Sequence, residues 1–248
     1  MSEPGAQEAA GKVALVTGGN KGIGLEIVRG LAAKGVTVLL GARADAAGEA
    51  SAGALRSEGL DVRFLRIDVT DPESMAAAAL GIGAEWGRLD ILVNNAAISP
   101  EHGVPPSESD PILLRQTYET NVFGLVAVTQ WMLPLLRAAE AGRIVNMSTG
   151  LASLKLTSGR DAPYSFSRLL AYNSSKTAVN AVTVGFANEL LDTPIKVNAA
   201  NPGLCATDLT NGRGRPPSEG AAVAIGLALL EPDGPTGGLY GDAGQLPW

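Results

Sequence analysis

Tyr172 and Lys176 stand four residues apart in Tyr172-Asn173-Ser174-Ser175-Lys176, and on a helix that spacing puts a phenol and an ammonium on one face. A phenol with an ordinary pKa of about 10 is a poor acid or base at neutral pH, and a nearby cation that stabilises the phenolate makes it usable. The pair therefore suits proton transfer to or from an oxygen. A second feature is the turn Thr17-Gly18-Gly19-Asn20-Lys21-Gly22-Ile23-Gly24. Glycines between a strand and a helix let the backbone approach a pyrophosphate closely, and the helix start offers free N–H groups and a positive dipole end. Glycines at 18, 19, 22 and 24 do not fit the general six-residue dinucleotide fingerprint, so the turn taken alone leaves a plain structural role open. Other chemistry is excluded by what is scarce. One cysteine, Cys205, and one histidine, His102, cannot build a Cys/His zinc cage, a Cys-x-x-Cys redox pair or a multi-histidine metal site. A Ser-His-Asp triad would depend on His102 alone, which sits in the polar, Pro-rich run Pro100 to Asp110. No metal site is expected.

The elements that must hold these residues follow from the hydrophobic pattern. Short β-branched runs alternate with longer Ala/Leu-rich stretches, the pattern of βαβ units and a parallel sheet. It predicts seven strands, near Lys12–Thr17, Val36–Leu40, Val62–Ile67, Leu89–Val93, Arg143–Met147, Ile195–Ala199 and Gly238–Tyr240. Helices are expected near Gly22–Lys34, Asp45–Glu58, Pro72–Trp86, Glu119–Ala139, Ala171–Leu191 and Pro217–Leu230, with Asp71-Pro72 an N-cap and first-turn pair. The fold class is thus α/β, a doubly wound, mostly parallel sheet with helices on both faces. With 248 residues, 46% hydrophobic and 18% charged, the chain is expected to be one domain over residues 1–248, which excludes a disordered, collagen-like or coiled-coil protein. Residues 1–11 are expected to be a flexible tail. The long irregular segments 151–170 and 202–217 are lid or binding-loop candidates. The net charge of −6 argues against nucleic acid or anionic lipid as a partner. Met1 to Lys12 lacks a basic region followed by an apolar run, and Gly220–Leu230 is too short to span a bilayer, so a cytoplasmic protein is expected.

Taken in order, the motifs resemble the short-chain dehydrogenase/reductase family from Lys12 onward. The turn resembles that family's Thr-Gly-x-x-x-Gly-x-Gly segment, and Tyr172 and Lys176 its Tyr-x-x-x-Lys pair. Asn94-Asn95-Ala96-Ala97 resembles Asn-Asn-Ala-Gly with Ala97 for the last glycine. Asn121, in Thr120-Asn121-Val122-Phe123-Gly124, matches the catalytic asparagine, and Ser148 the serine after the fifth strand. The resemblance implies a Rossmann-type fold and a catalytic set of Asn121, Ser148, Tyr172 and Lys176. In it Tyr172 exchanges a proton with a carbonyl or alcohol oxygen, Ser148 hydrogen-bonds that oxygen, Lys176 also holds the nicotinamide ribose, and Asn121 orders a water. It implies cofactor contacts from Gly18, Asn20, Lys21, Gly22, Ile23, Gly24, Asn95, Ala96, Tyr172 and Lys176. Asp68-Val69 resembles the adenine contact and Pro202, Gly203 and Thr207 the carboxamide contact, a helix cap and a plain turn being the respective alternatives.

NAD-dependent enzymes place an acid about 20 residues beyond the turn to bind the ribose 2′-hydroxyl, and Leu40-Gly41-Ala42-Arg43 has none. Arg43 and Lys21 resemble the basic pair that NADP-preferring members use for the 2′-phosphate, so NADP(H) is the expected cofactor. The competing reading has Asp45 hold the ribose, although Asp45 stands where a helix N-cap is expected. Ser148 and Tyr172 are 24 residues apart, about twice the usual gap, and this resembles the insertion of the carbonyl-reductase-like branch. Tyr164 lies nearer the usual distance, but Arg168 follows it at i+4 in place of lysine. The expected activity is NADPH-dependent reduction of a ketone or aldehyde to an alcohol, on a small uncharged substrate held by residues 151–170 and 203–217. The alternatives are a non-catalytic NADP-sensing binding protein and a lyase or dehalogenase on the same scaffold. The resemblance also implies a homodimer or homotetramer through the long helices, unless the insertion blocks one interface.

Overall fold

The computed structural model describes residues 9–248. Strands β1 (Val13–Thr17), β2 (Thr37–Ala42), β3 (Val62–Arg66), β4 (Ile91–Asn94), β5 (Arg143–Met147), β6 (Lys196–Ala200) and β7 (Leu239–Gly241) pair in parallel. β1, β4 and β5 are buried along their whole length; Val13–Val16 and Ile91–Val93 accordingly read as apolar runs with no alternation, while β5 also buries Arg143 and Asn146. An eighth strand, β8 (Gly244–Leu246), turns back antiparallel on β7, with Leu239 opposite Leu246. It was not expected: two of its three residues are exposed, so it carries no apolar signal. The order β3-β2-β1-β4-β5-β6-β7-β8 reverses direction between β1 and β4, the Rossmann-type doubly wound arrangement, in which ligands sit beyond the carboxyl ends of the strands at that reversal.

Helices α1 (Gly22–Ala32), α2 (Asp45–Ser57) and α8 (Pro217–Ala228) cover one face through Ile27, Leu31, Leu55 and Ala224. The other face is covered by α3 (Pro72–Trp86), α5 (Leu125–Ala138) and α7 (Leu170–Glu189), through Met75, Ile82, Val128, Met132 and Ala187. Asp71 caps α3 as expected, accepting from the Glu73 N–H at 3.0 Å, with Pro72 in the first turn. The single helix expected over Glu119–Ala139 is two pieces and is preceded by a third element. An unforeseen α4 (Pro111–Tyr118), capped by Asp110 at 2.7 Å, runs into a π-helical turn, Glu119–Gly124, and then into α5.

The two segments expected to be irregular hold short elements. Residues 151–170 include α6 (Leu154–Thr157), whose Lys155 N–H reaches the Trp248 carbonyl at 3.2 Å. Residues 202–217 hold a one-turn helix at Asp208–Thr210 and are closed by a fork from Arg215 to both Asp242 oxygens. Of the expected tail, residues 1–8 lie outside the described residues, and Ala9 is buried in the core. Among the described residues, no helix is long and apolar enough to cross a membrane.

Candidate active site

The carboxyl ends of β1 and β4 build the first wall. Gly18 and Gly22 take φ values of 63° and 56°, which side chains rarely adopt. A Cβ on Gly24 would stand 2.4 Å from both the Gly18 carbonyl oxygen and Asn95 Nδ2, so only glycine lets α1 start against the turn. Asn95, expected at the cofactor, directs its side chain into the turn: Nδ2 donates to the carbonyls of Thr17 at 2.9 Å and Gly18 at 3.1 Å. Thr17 Oγ1 in turn accepts from the N–H groups of Asn95 and Ala96. Asn20 is anchored through its carbonyl by Ser51, and Ile23 packs on the core. Helix α1 starts with no side-chain cap and no acid in its first turn, so its N–H groups face outward for an anion.

The basic pair is split in its surroundings. Arg43 is exposed just beyond β2, and among the described residues no carboxylate lies within 4.0 Å of it. Lys21 is paired with Asp208 of the one-turn helix at 2.6 Å. Asp45 is the first residue of α2 and not its N-cap, and it faces Arg66 at 3.8 Å. Asp68 is half-buried and accepts at Oδ1 from the Thr70 N–H and hydroxyl, a local turn that uses one carboxylate oxygen. Val69 is buried and its carbonyl would lie 2.5 Å from a Cβ on Gly124, so the π turn packs directly on it. Thr207 lies against the glycine turn, its methyl 3.2 Å from where a Gly22 Cβ would be. Pro202 is buried and its carbonyl accepts from Arg215, while Gly203, with φ 67°, makes the bend.

The second wall joins β5 to α7. Lys176 is buried and donates to the Met147 carbonyl at 2.7 Å, which binds the middle of α7 to the residue before Ser148. Its Nζ lies 5.9 Å from the centre of the Tyr172 ring. Burial pushes the Tyr172 phenol up to about 12 and the Lys176 ammonium down to about 8. The phenol therefore keeps its proton at neutral pH. Asn121, in the π turn, engages both ends of its amide: Oδ1 accepts from the Ile98 N–H at 2.8 Å, and Nδ2 donates to the Ile98 carbonyl at 3.0 Å and to Ser175 Oγ at 3.1 Å. The π turn thus clamps the loop after β4 to α7. Tyr164 packs its ring against Gly150. A cleft of about 510 Å³ between α4, residues 151–170 and α7 is lined by Asn173, Ser174 and Thr177, a different face of α7 from Tyr172 and Lys176.

A sequence model described as short chain dehydrogenase matches residues 12–217. The chain belongs to that family. It is 32% identical to short-chain dehydrogenase/reductase 1 of Saponaria officinalis, over 97% of each chain. It is also 32% identical to carbonyl reductase (NADPH) 1 of Mus musculus, over 95% of this chain and 98% of the relative. Among solved structures, salutaridine reductase from Papaver somniferum matches with a TM-score of 0.82 and 28% identity, covering 93% of this chain and 99% of the other.

For a short-chain dehydrogenase, the cradle of Gly18, Gly22 and Gly24 before an uncapped helix fits a dinucleotide, since the positive φ of Gly18 and Gly22 bends the turn and the first turn of α1 offers its N–H groups with no side-chain cap or acid. Three residues of this short-chain dehydrogenase escaped the sequence analysis. Asn146 is buried under the site and accepts from Asn94 at 2.9 Å. Asn180 accepts from the Ser148 hydroxyl at 2.6 Å; its position four residues beyond Lys176 on the same helix was a usable signal. Glu101 accepts from the N–H groups of Ala171 and Tyr172, across 70 residues of sequence, where no local pattern points to it.

Proposed function

We propose that this chain reduces a ketone or aldehyde to an alcohol with NADPH, Tyr172 being the proton donor. The observation that supports the reading is the bond from Lys176 to the carbonyl of Met147, the residue before Ser148, with the Tyr172 ring centre 5.9 Å from the same ammonium. Bound NADPH supplies the hydride. The chain supplies the rest. Tyr172, which holds its proton at neutral pH, gives it to the carbonyl oxygen as negative charge develops there. Lys176 offers the positive charge that stabilises the phenolate left behind, and Ser148 hydrogen-bonds the same oxygen. Asn121 keeps the loop after β4 against α7, so its first role is as a clamp.

The absence of an acid at the end of β2 and the exposed Arg43 support NADPH over NADH, as does the name of the mouse relative. Leu154, Leu204 and Leu209 are exposed on the two loops that border the site, which suits an uncharged substrate. The deciding experiment is a panel of ketones and aldehydes run with NADPH and NADH in parallel. Oxidation of NADPH by some member is expected. Tight NADPH binding without turnover across the panel would favour a cofactor-sensing protein.

A further inference from the structure

Ser148 has one hydroxyl proton, and in this structure it is donated to Asn180 Oδ1 at 2.6 Å, with both residues buried. Tyr172, Lys176 and Asn180 are spaced four residues apart along α7 and share one face. Among the described residues, the buried Asn180 Nδ2 has no hydrogen-bond partner, a costly state for an amide. The nearby hydroxyls are engaged elsewhere: Ser175 donates to the Tyr172 carbonyl, and Thr183 donates to the Val179 carbonyl while accepting from Asn146.

In this orientation Ser148 offers only lone pairs. It can accept from an alcohol, but it cannot donate to a carbonyl. Turning the Asn180 amide over presents Nδ2 to Ser148 Oγ, releases the serine proton toward the site, and moves the missing partner from nitrogen to oxygen. Each orientation leaves one amide end bare, so neither is locked. We propose that Asn180 is a positioning residue: its amide holds the Ser148 hydroxyl and sets, by the end it presents, whether Ser148 donates to the reacting oxygen or accepts from it. This rests on the reading of Ser148 as the residue that bonds that oxygen.

The test is a double-mutant cycle of Asn180→Leu and Ser148→Ala, read as NADPH oxidation with the fastest carbonyl compound of the panel, together with the NADPH dissociation constant and thermal melting. Asn180→Leu should lower kcat by about 10- to 100-fold, the scale seen when a supporting hydrogen bond is removed, and leave NADPH affinity within about twofold. In the Ser148→Ala background the same change should cost less than about threefold, because residues acting as a unit are not additive. An equal loss in both backgrounds, or an unchanged kcat in the single variant, overturns the proposal. If Asn180→Leu does not melt cooperatively, Asn180→Asp takes its place in the cycle. It keeps only acceptors facing Ser148, so it should also lower kcat and add nothing to Ser148→Ala; an additive loss overturns the proposal equally. Ser148→Ala at the native rate would remove the reading of the site and this proposal with it. A slow Ser148→Ala beside an Asn180→Leu at the native rate would remove this proposal alone.

Discussion

Helix α7 has no cap of its own: Leu169 offers no side-chain acceptor, and the first turn has no acid. Glu101, carried on the loop that Asn121 pins at Ile98, fills that place from outside, accepting from the Ala171 N–H at 3.0 Å and the Tyr172 N–H at 2.6 Å. Glu101→Ala leaves two N–H groups at the positive end of the helix without their carboxylate. Loss of an ordinary cap costs about 0.5 to 2 kcal/mol, and a bond to a charged group is worth about 1.5 to 3 kcal/mol. Glu101 is half-buried, so water replaces part of each bond and a total of about 1 to 3 kcal/mol is expected. At about 2 to 4 °C per kcal/mol for a chain of this size, the melting midpoint should fall by about 2 to 12 °C. The uncapped turn carries Tyr172, so kcat should also fall, by about tenfold, less than the ~10²-fold attached to a 1 Å misplacement. NADPH affinity should change less, since the glycine turn stands on β1 and α1. Glu101→Gln retains a neutral acceptor and should recover about half of the lost stability. Melting and steady-state kinetics on the three proteins check this. An Ala variant that melts and turns over like the parent, or a Gln variant as damaged as Ala, would refute the capping argument.

Tyr172→Phe should lower turnover by at least about 10²-fold, the scale of a lost general acid, with NADPH binding retained, while Tyr164→Phe stays active; the opposite pattern in a turnover assay would reassign the tyrosine. Arg43→Ala should weaken NADPH by about 10- to 150-fold and leave NADH unchanged, and titrations at low and high salt should show the preference eroding as ions screen the exposed guanidinium. Lys176→Met should abolish turnover yet raise the melting temperature at pH 7. Burial lowers the lysine from 10.5 to about 8, so below pH 8 the folded chain holds an ammonium at a cost that the unfolded chain does not bear. As pH rises from 8 to 10.5 the unfolded chain binds more protons than the folded one, the parent gains stability, and the advantage of the variant should disappear; an advantage independent of pH would contradict this.

What the sequence showed and hid follows from the range of the interactions. β1 and β4 were legible because strands buried on both faces are mostly apolar, as Val13–Val16 and Ile91–Val93 are. The glycine turn and the Tyr172/Lys176 pair were legible because their spacing is local. Asp110-Pro111 is the same kind of signal as Asp71-Pro72, but the apolar run Ile112-Leu113-Leu114 behind it is short, and α4 was missed. Lys21 read only as half of a basic pair for a 2′-phosphate, because Asp208, its partner, is 187 residues away. Asn180 lay in plain helical register with Lys176, yet a buried asparagine has the same letter as a solvated one. Only the fold shows that Ser148 faces it.

The π turn at Glu119–Gly124 is a phase slip in one long rod. A π turn carries one residue more than an α turn, so α4 and α5 are wound about 100° out of step. Their inward faces are set independently, Thr117 before the slip and Val128, Met132 and Leu136 after it. Helical regularity and the position of Asn121 are therefore mutually exclusive in this chain. A version one residue shorter between Tyr118 and Leu125 would restore unbroken α hydrogen bonding and swing either α4 or the asparagine a quarter-turn away, releasing Ile98.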